Sequence, residues 1–140
     1  MKNKSQLLTP HSKWASMDTK ISDRVYEYLV EHSHNADLVK SSRHAAAIVY
    51  RSQIVSAGVN KRKSHPIMQR YQQNEERIYL HAEADALIRF MGMYGADLLP
   101  DCSLYVLRTT KSGRVASSKP CTGCMAMIEA LNVGQVYWTV

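Results

Sequence analysis

The chain has 140 residues, 45% of them hydrophobic, and a formal net charge of +6. That length carries one domain with a core of its own and is too short for two. No run of about 18 apolar residues occurs, which excludes a membrane-spanning helix and leaves no membrane partner.

Residues 1–19 form an expected N-terminal arm, polar and mixed through Met17, with Trp14 placed to dock on the body. No apolar stretch follows the charged start Met1–Lys4, so a secretory leader is not expected and a cytoplasmic location is. Residues 20–140 are expected to form a single domain. From Lys20 to Glu31, Ile21, Val25, Tyr28 and Leu29 recur at helical spacing. Ala45–Tyr50 and Ile54–Val59 are short apolar runs broken by Arg51-Ser52-Gln53, the pattern of an antiparallel hairpin. Residues 61–77 are basic and aperiodic and are expected to form a long loop. Leu80 opens a helix whose apolar stripe is Ala84, Leu87, Ile88 and Met91, ended by Gly92 or Gly95.

Cys102–Arg108 follows as a strand, then a polar loop, Thr109–Lys119, with a turn at Lys111-Ser112-Gly113-Arg114. Cys121–Leu131 is a second periodic helix, with Met125, Ile128 and Leu131 on one side. Val136–Val140 is a last strand of aromatic and β-branched residues. Strands separated by helices imply parallel crossovers and a sheet covered on both faces.

Three cysteines are present. An odd count without a leader argues against a disulfide framework. Cys102, at the start of an apolar run, is best explained as a small buried hydrophobe. Cys121 and Cys124 have metal spacing, within Pro120-Cys121-Thr122-Gly123-Cys124, and His81-Ala82-Glu83 stands upstream. H-x-E followed by P-C-x-x-C is the established signature of zinc deaminases acting on nucleobases. A catalytic zinc takes three protein ligands and keeps one position open for water. His81, Cys121 and Cys124 supply three ligands, each at a predicted helix start, where negative charge and thiolates are favoured. Glu83, two residues after His81, is then free to move protons between the attacking water, the ring nitrogen and the departing amine. The competing explanation is a closed structural site with His44, His65 or Cys102 as fourth ligand, which leaves Glu83 without a role. His11, His32 and His34 are expected to be exposed or capping residues.

With these residues the chain resembles the cytidine and deoxycytidylate deaminase superfamily. The matching segments are Ala45–Val49, Gly58-Val59-Asn60, Leu80–Leu87, Leu104-Tyr105-Val106, Pro120–Cys124 and Val136-Tyr137. The resemblance implies a three-layer α/β/α fold around a mixed central sheet, with zinc as cofactor between two helices. It implies His81, Cys121 and Cys124 as ligands and Glu83 as proton shuttle. It also implies Asn60 as a hydrogen-bonding contact to the nucleoside, with a strand-closing turn residue as the alternative. Ala82 and Cys121 would offer backbone groups at the reacting end of the base. Two features depart from the family: the Thr109–Lys119 insert, and a chain that stops at Val140, just after the fourth strand. A pocket completed by the insert, the arm or a second subunit is therefore expected, and with it a homo-oligomer.

The carrier of the base is less defined. The stretch between Asn60 and His81 is similar to the deoxycytidylate branch, so a cytosine nucleotide or nucleoside is the first expectation. Arg43, Lys61 and Arg62 are the candidate cations for a 5′-phosphate. Lys61-Arg62-Lys63, His65, Arg70 and Tyr71 give a thin basic-aromatic pattern that fits single-stranded DNA or RNA instead. A non-catalytic zinc-stabilised binding module is the third expectation, and Glu83 counts against it.

Overall fold

The computed structural model describes residues 13–16, 22–71 and 79–140. Strand β1 (Trp14–Ser16) precedes helix α1 (Asp23–Ser33), then strands β2 (Ser42–Tyr50), β3 (Gln53–Val59) and β4 (Lys61–Ser64). Helix α2 (Pro66–Tyr71), strand β5 (Tyr79–Leu80) and helix α3 (Ala82–Tyr94) come next. A 3₁₀ turn at Leu99–Asp101 leads into β6 (Ser103–Thr110) and β7 (Val115–Ala116). Helix α4 (Thr122–Ala130) and strand β8 (Gln135–Trp138) complete the order.

The main sheet runs β1-β8-β6-β2-β3, with β7 paired to the end of β6. Strand β2 is antiparallel to both neighbours, whereas β6, β8 and β1 are mutually parallel, so the sheet is mixed. Its central strands are apolar on both faces, as a covered sheet requires. Ala46, Ile48, Leu104 and Val106 pack toward α3 and α4. Ala45, Ala47, Tyr105 and Leu107 pack toward α1 with Val25 and Leu29. This is the expected three-layer α/β/α arrangement.

Helix α1 starts where Ser22 Oγ accepts the Val25 N–H at 3.3 Å, a side-chain cap. The β2–β3 hairpin closes on Arg51 and Ser52, both left-handed (φ 49° and 66°), as a two-residue hairpin turn demands. Helix α3 lies on β3 with no room to spare. A Cβ at Gly58 would fall 2.3 Å from the backbone nitrogen of Ala86 and 2.7 Å from the Ala82 carbonyl oxygen. Gly58 therefore sets the approach of the helix that carries His81 and Glu83.

Three expectations change. Part of the 61–77 stretch is ordered: β4 pairs with β5, and Pro66 starts α2, which buries Met68. Residues 72–78 lie outside the described residues. Within the arm, Trp14–Ser16 is a sheet strand, parallel to β8, and the Trp14 ring lies tilted against Trp138 with ring centroids 6.3 Å apart. Trp14 Nε1 also donates to Glu129 at 3.1 Å. In α4 the buried side is Cys124, Met127 and Ile128, while Met125 and Leu131 are only half-buried. Residues 1–12, which include His11, and 17–21, which include Ile21, are outside the described residues.

Candidate active site

Helices α3 and α4 each begin with a functional residue at the N-cap, His81 and Cys121, and neither cap residue bonds its own helix through its side chain. Both side chains are thus turned to another purpose. Asp85, one turn into α3, is buried and accepts the Val59 N–H at 3.0 Å, pinning the helix start to β3. Lys61 at 3.5 Å and Arg89 at 3.2 Å balance its charge. The start of α4 is held from the other side. Ser118 Oγ donates to the Val106 carbonyl at 2.7 Å and accepts the Thr139 N–H at 2.8 Å. Those bonds lash the end of the 109–119 insert to the sheet and deliver Cys121.

The result is a tight donor group. His81, Cys121 and Cys124 offer one ligand atom each, all within 4.8 Å of one another. His81 Nδ1 lies 3.1 Å from Cys124 Sγ and 3.7 Å from Cys121 Sγ. A tetrahedral zinc, with Zn–S about 2.3 Å and Zn–N about 2.0 Å, spaces such ligands by about 3.5 Å. The two separations straddle that value, so the residues fit the ion. The chemistry agrees. A hydrogen bond with Cys121, followed by burial, raises the Cys124 thiol well above its ordinary value. A dication at that point reverses this balance, because coordination favours the thiolate.

No further His, Cys, Asp or Glu joins the group among the described residues. His65 accepts the Ile67 N–H at 3.1 Å at the start of α2, and Cys102 is buried and donates to the Leu98 carbonyl at 3.3 Å. The donor set is three, as an open site needs.

A cavity of about 320 Å³ opens onto the donors, and its wall includes His81, Cys121, Ala82 and Glu83. That volume suits a small-molecule ligand. Glu83 is 4% exposed, and burial raises its carboxyl above the usual range, with His81 opposing. Asn60 and Lys61 are also on the wall. The Asn60 amide already works in the fold: Oδ1 accepts the His44 N–H at 2.6 Å, and Nδ2 donates to the Asp37 carbonyl at 2.9 Å. Arg43 and Arg62 are not on the cavity wall. Arg62 turns to the loop after α1, where its Nε donates to the Leu38 carbonyl at 3.0 Å.

Sequence reasoning passed over three basic wall residues, Lys40, Arg108 and Lys119, and gave His44 only a metal role. His44 is largely buried, and desolvation together with His81 and Arg108 lowers its pKa to about 4. A polar or charged residue interrupting a core strand was the available signal for His44 and Arg108, which face each other across β2 and β6.

The sequence profile of the cytidine and deoxycytidylate deaminase zinc-binding region matches residues 19–140. No curated protein matches the chain. Among solved structures, the fold is similar to the dCMP deaminase of cyanophage S-TIM5 in its apo form, at a TM-score of 0.53 and 18% identity, over 84% of each chain. It is also similar to the guanine deaminase of Bacillus subtilis, at a TM-score of 0.50 and 21% identity, over 84% of this chain and 63% of that one. The profile match spans both helix starts and the sheet between them, and the chain belongs to the cytidine and deoxycytidylate deaminase family.

Proposed function

We propose that the protein hydrolyses the exocyclic amino group of a cytosine nucleotide or nucleoside, deoxycytidylate foremost, giving the uracil product and ammonia. One observation carries this proposal: the buried Glu83 lines the same cavity as His81 and Cys121, two members of the three-donor group. His81, Cys121 and Cys124 would hold zinc, which supplies Lewis acidity that brings the pKa of water down to about 7. Glu83 takes the proton of the attacking water and passes protons to the ring nitrogen and to the leaving amine. Burial raises its carboxyl above the usual carboxylate range, the direction a proton-transfer group needs. Ala82 and Cys121 line the cavity, and their backbone groups would meet the reacting end of the base. Asn60, held by His44 and Asp37, keeps one amide hydrogen and one lone pair for a sugar hydroxyl.

The test is a substrate panel. Zinc-loaded protein is incubated with nucleosides, mononucleotides, single-stranded DNA and tRNA, and products are read by mass, since exchanging NH₂ for OH adds about one dalton. Turnover of a cytosine mononucleotide or nucleoside is expected. Turnover of adenine or guanine substrates alone would reject the base assignment. The exposed Arg62 and Lys63, beside Lys61 of the wall, favour single-stranded nucleic acid as the second reading. That reading predicts affinity falling steeply as salt rises.

A further inference from the structure

The cavity has an annex that the chemistry at the metal donors does not use. A neighbouring cleft is lined by Lys40, Ser41, Ser42, Arg108, Lys111 and Ser112. Lys40, Ser42 and Arg108 line the main cavity too, so the two spaces meet at those residues. Two turns build the cleft. One is the Lys40–Ser41 turn, where Val39 and Ser42 exchange backbone hydrogen bonds of 2.9 and 3.0 Å. The other joins β6 to β7, with left-handed Gly113 (φ 90°) at its bend. The Lys111 N–H donates to the Ser41 carbonyl at 2.9 Å and ties the turns together. The cleft is therefore set by backbone bonds, whatever the lysine side chains do.

Arg108 is distinguished from the other cations of these walls by a buried donor left over. Its Nε–H is buried without a hydrogen-bond partner among the described residues, and no carboxylate there pairs with it. Arg108 as a whole is half-buried, and its guanidinium keeps its proton; a donor N–H taken from water without an acceptor costs free energy. An orphan of this kind calls for a counter-charge from outside the chain. The other cations near the donors do not: Lys61 faces Asp85 at 3.5 Å, and Arg62 is spent on the Leu38 carbonyl.

We propose that Arg108, with Lys40 and Lys111, forms a phosphate-monoester subsite, which makes the substrate a cytosine mononucleotide in preference to the nucleoside. The assignment rests on the proposed reaction and names the carrier of its base. Three cations and three serine hydroxyls match a terminal phosphate, with close to two negative charges and three acceptor oxygens, better than a singly charged phosphodiester.

The test uses the full zinc-loaded chain. The ratio of kcat/KM for deoxycytidylate to that for deoxycytidine is measured in the wild type, in Arg108→Gln and in Lys111→Glu. The wild type is expected to favour the nucleotide. Arg108→Gln should lower the ratio by about 10- to 100-fold, mainly through KM, as for loss of a charge-assisted bond. Lys111→Glu, in an exposed turn that cannot disturb the core, should lower it by roughly 3- to 10-fold. Calorimetry with deoxyuridylate, deoxyuridine and a cytosine-containing dinucleotide reads binding without turnover. An unchanged ratio with unchanged deoxyuridylate affinity in both variants would overturn the subsite. So would tighter binding of the dinucleotide than of the monoester. Deoxyuridylate affinity lost in the variants of a protein inactive on every cytosine substrate would support the subsite while rejecting the reaction.

Discussion

The metal part of the cavity and its anion part are built from different materials. His81 and Glu83 share the start of α3, Cys121 and Cys124 share the start of α4, and each helix is locked to the sheet by buried bonds from Asp85 and Ser118. Lys40, Arg108 and Lys111 come instead from two turns and one strand, the turns tied by the Lys111–Ser41 backbone bond beyond the end of the β2–β6 ladder. Function at the first part is cooperative, because three ligands hold one ion together. At the second it is a sum of separate charges. Substitutions should be nearly all-or-none on one side and graded on the other.

The largest break is expected at a ligand. Cys124→Ala should cut turnover by about 10⁴-fold or more and release zinc, measured by metal analysis of the purified variant. A chelator should do the same to the wild type, with activity returning on zinc addition. Retained stoichiometric zinc in Cys124→Ala would contradict the three-donor site.

Gly58→Ala comes next. Its Cβ would strike the backbone of α3 at Ala86 and Ala82, so the helix must move. A loss of roughly 2–3 kcal/mol in a denaturant melt is expected, as for an overpacked core. Catalysis should suffer more than deoxyuridylate binding, since α3 starts at His81 and carries Glu83, whereas the anion turns lie at the ends of β2 and β6. Equal losses in both would blur the division.

His44 gives a smaller, pH-dependent effect. Desolvation, with His81 and Arg108 nearby, lowers its folded pKa from 6.5 to about 4. Between those values the unfolded chain binds a proton that the folded chain does not. Stability should therefore be full above about pH 6.5 and decline as pH falls toward about 4, by roughly 3 kcal/mol in all. His44→Gln should flatten that decline in urea melts taken from pH 7 to pH 4.5. A slope that survives the substitution would assign the proton elsewhere.

The smallest effects should come from Arg43 and Arg62, which the cavity wall excludes. Replacing either by Ala should change kcat/KM for deoxycytidylate by less than about twofold, against the larger loss at Arg108. A loss at Arg62 matching that at Arg108 would move the anion contact to β4.

What could be read from the chain follows the same division. His81 with Glu83, and Cys121 with Cys124, each fall within about one helical turn, so the two motifs exposed them. The covered sheet followed from strands separated by helices, and in the structure Ala45–Ile48 and Leu104–Leu107 alternate between two cores. Arg108 lies far in sequence from Lys40, and its one local mark, a charge ending an apolar strand, does not say what it faces. Strand pairing alone sets it opposite His44. The short β4, α2 and β1 were missed because their order comes from partners: β5 for the first, the core around Met68 for the second, β8 for the third.

The most direct test is Glu83→Gln, which keeps the side-chain shape and removes the carboxylate. Zinc content and thermal melting should match the wild type, while deamination of deoxycytidylate falls by roughly 10²- to 10⁴-fold, the usual range for a lost general acid-base group. A zinc-loaded Glu83→Gln protein that deaminates at the wild-type rate would contradict the account at its centre.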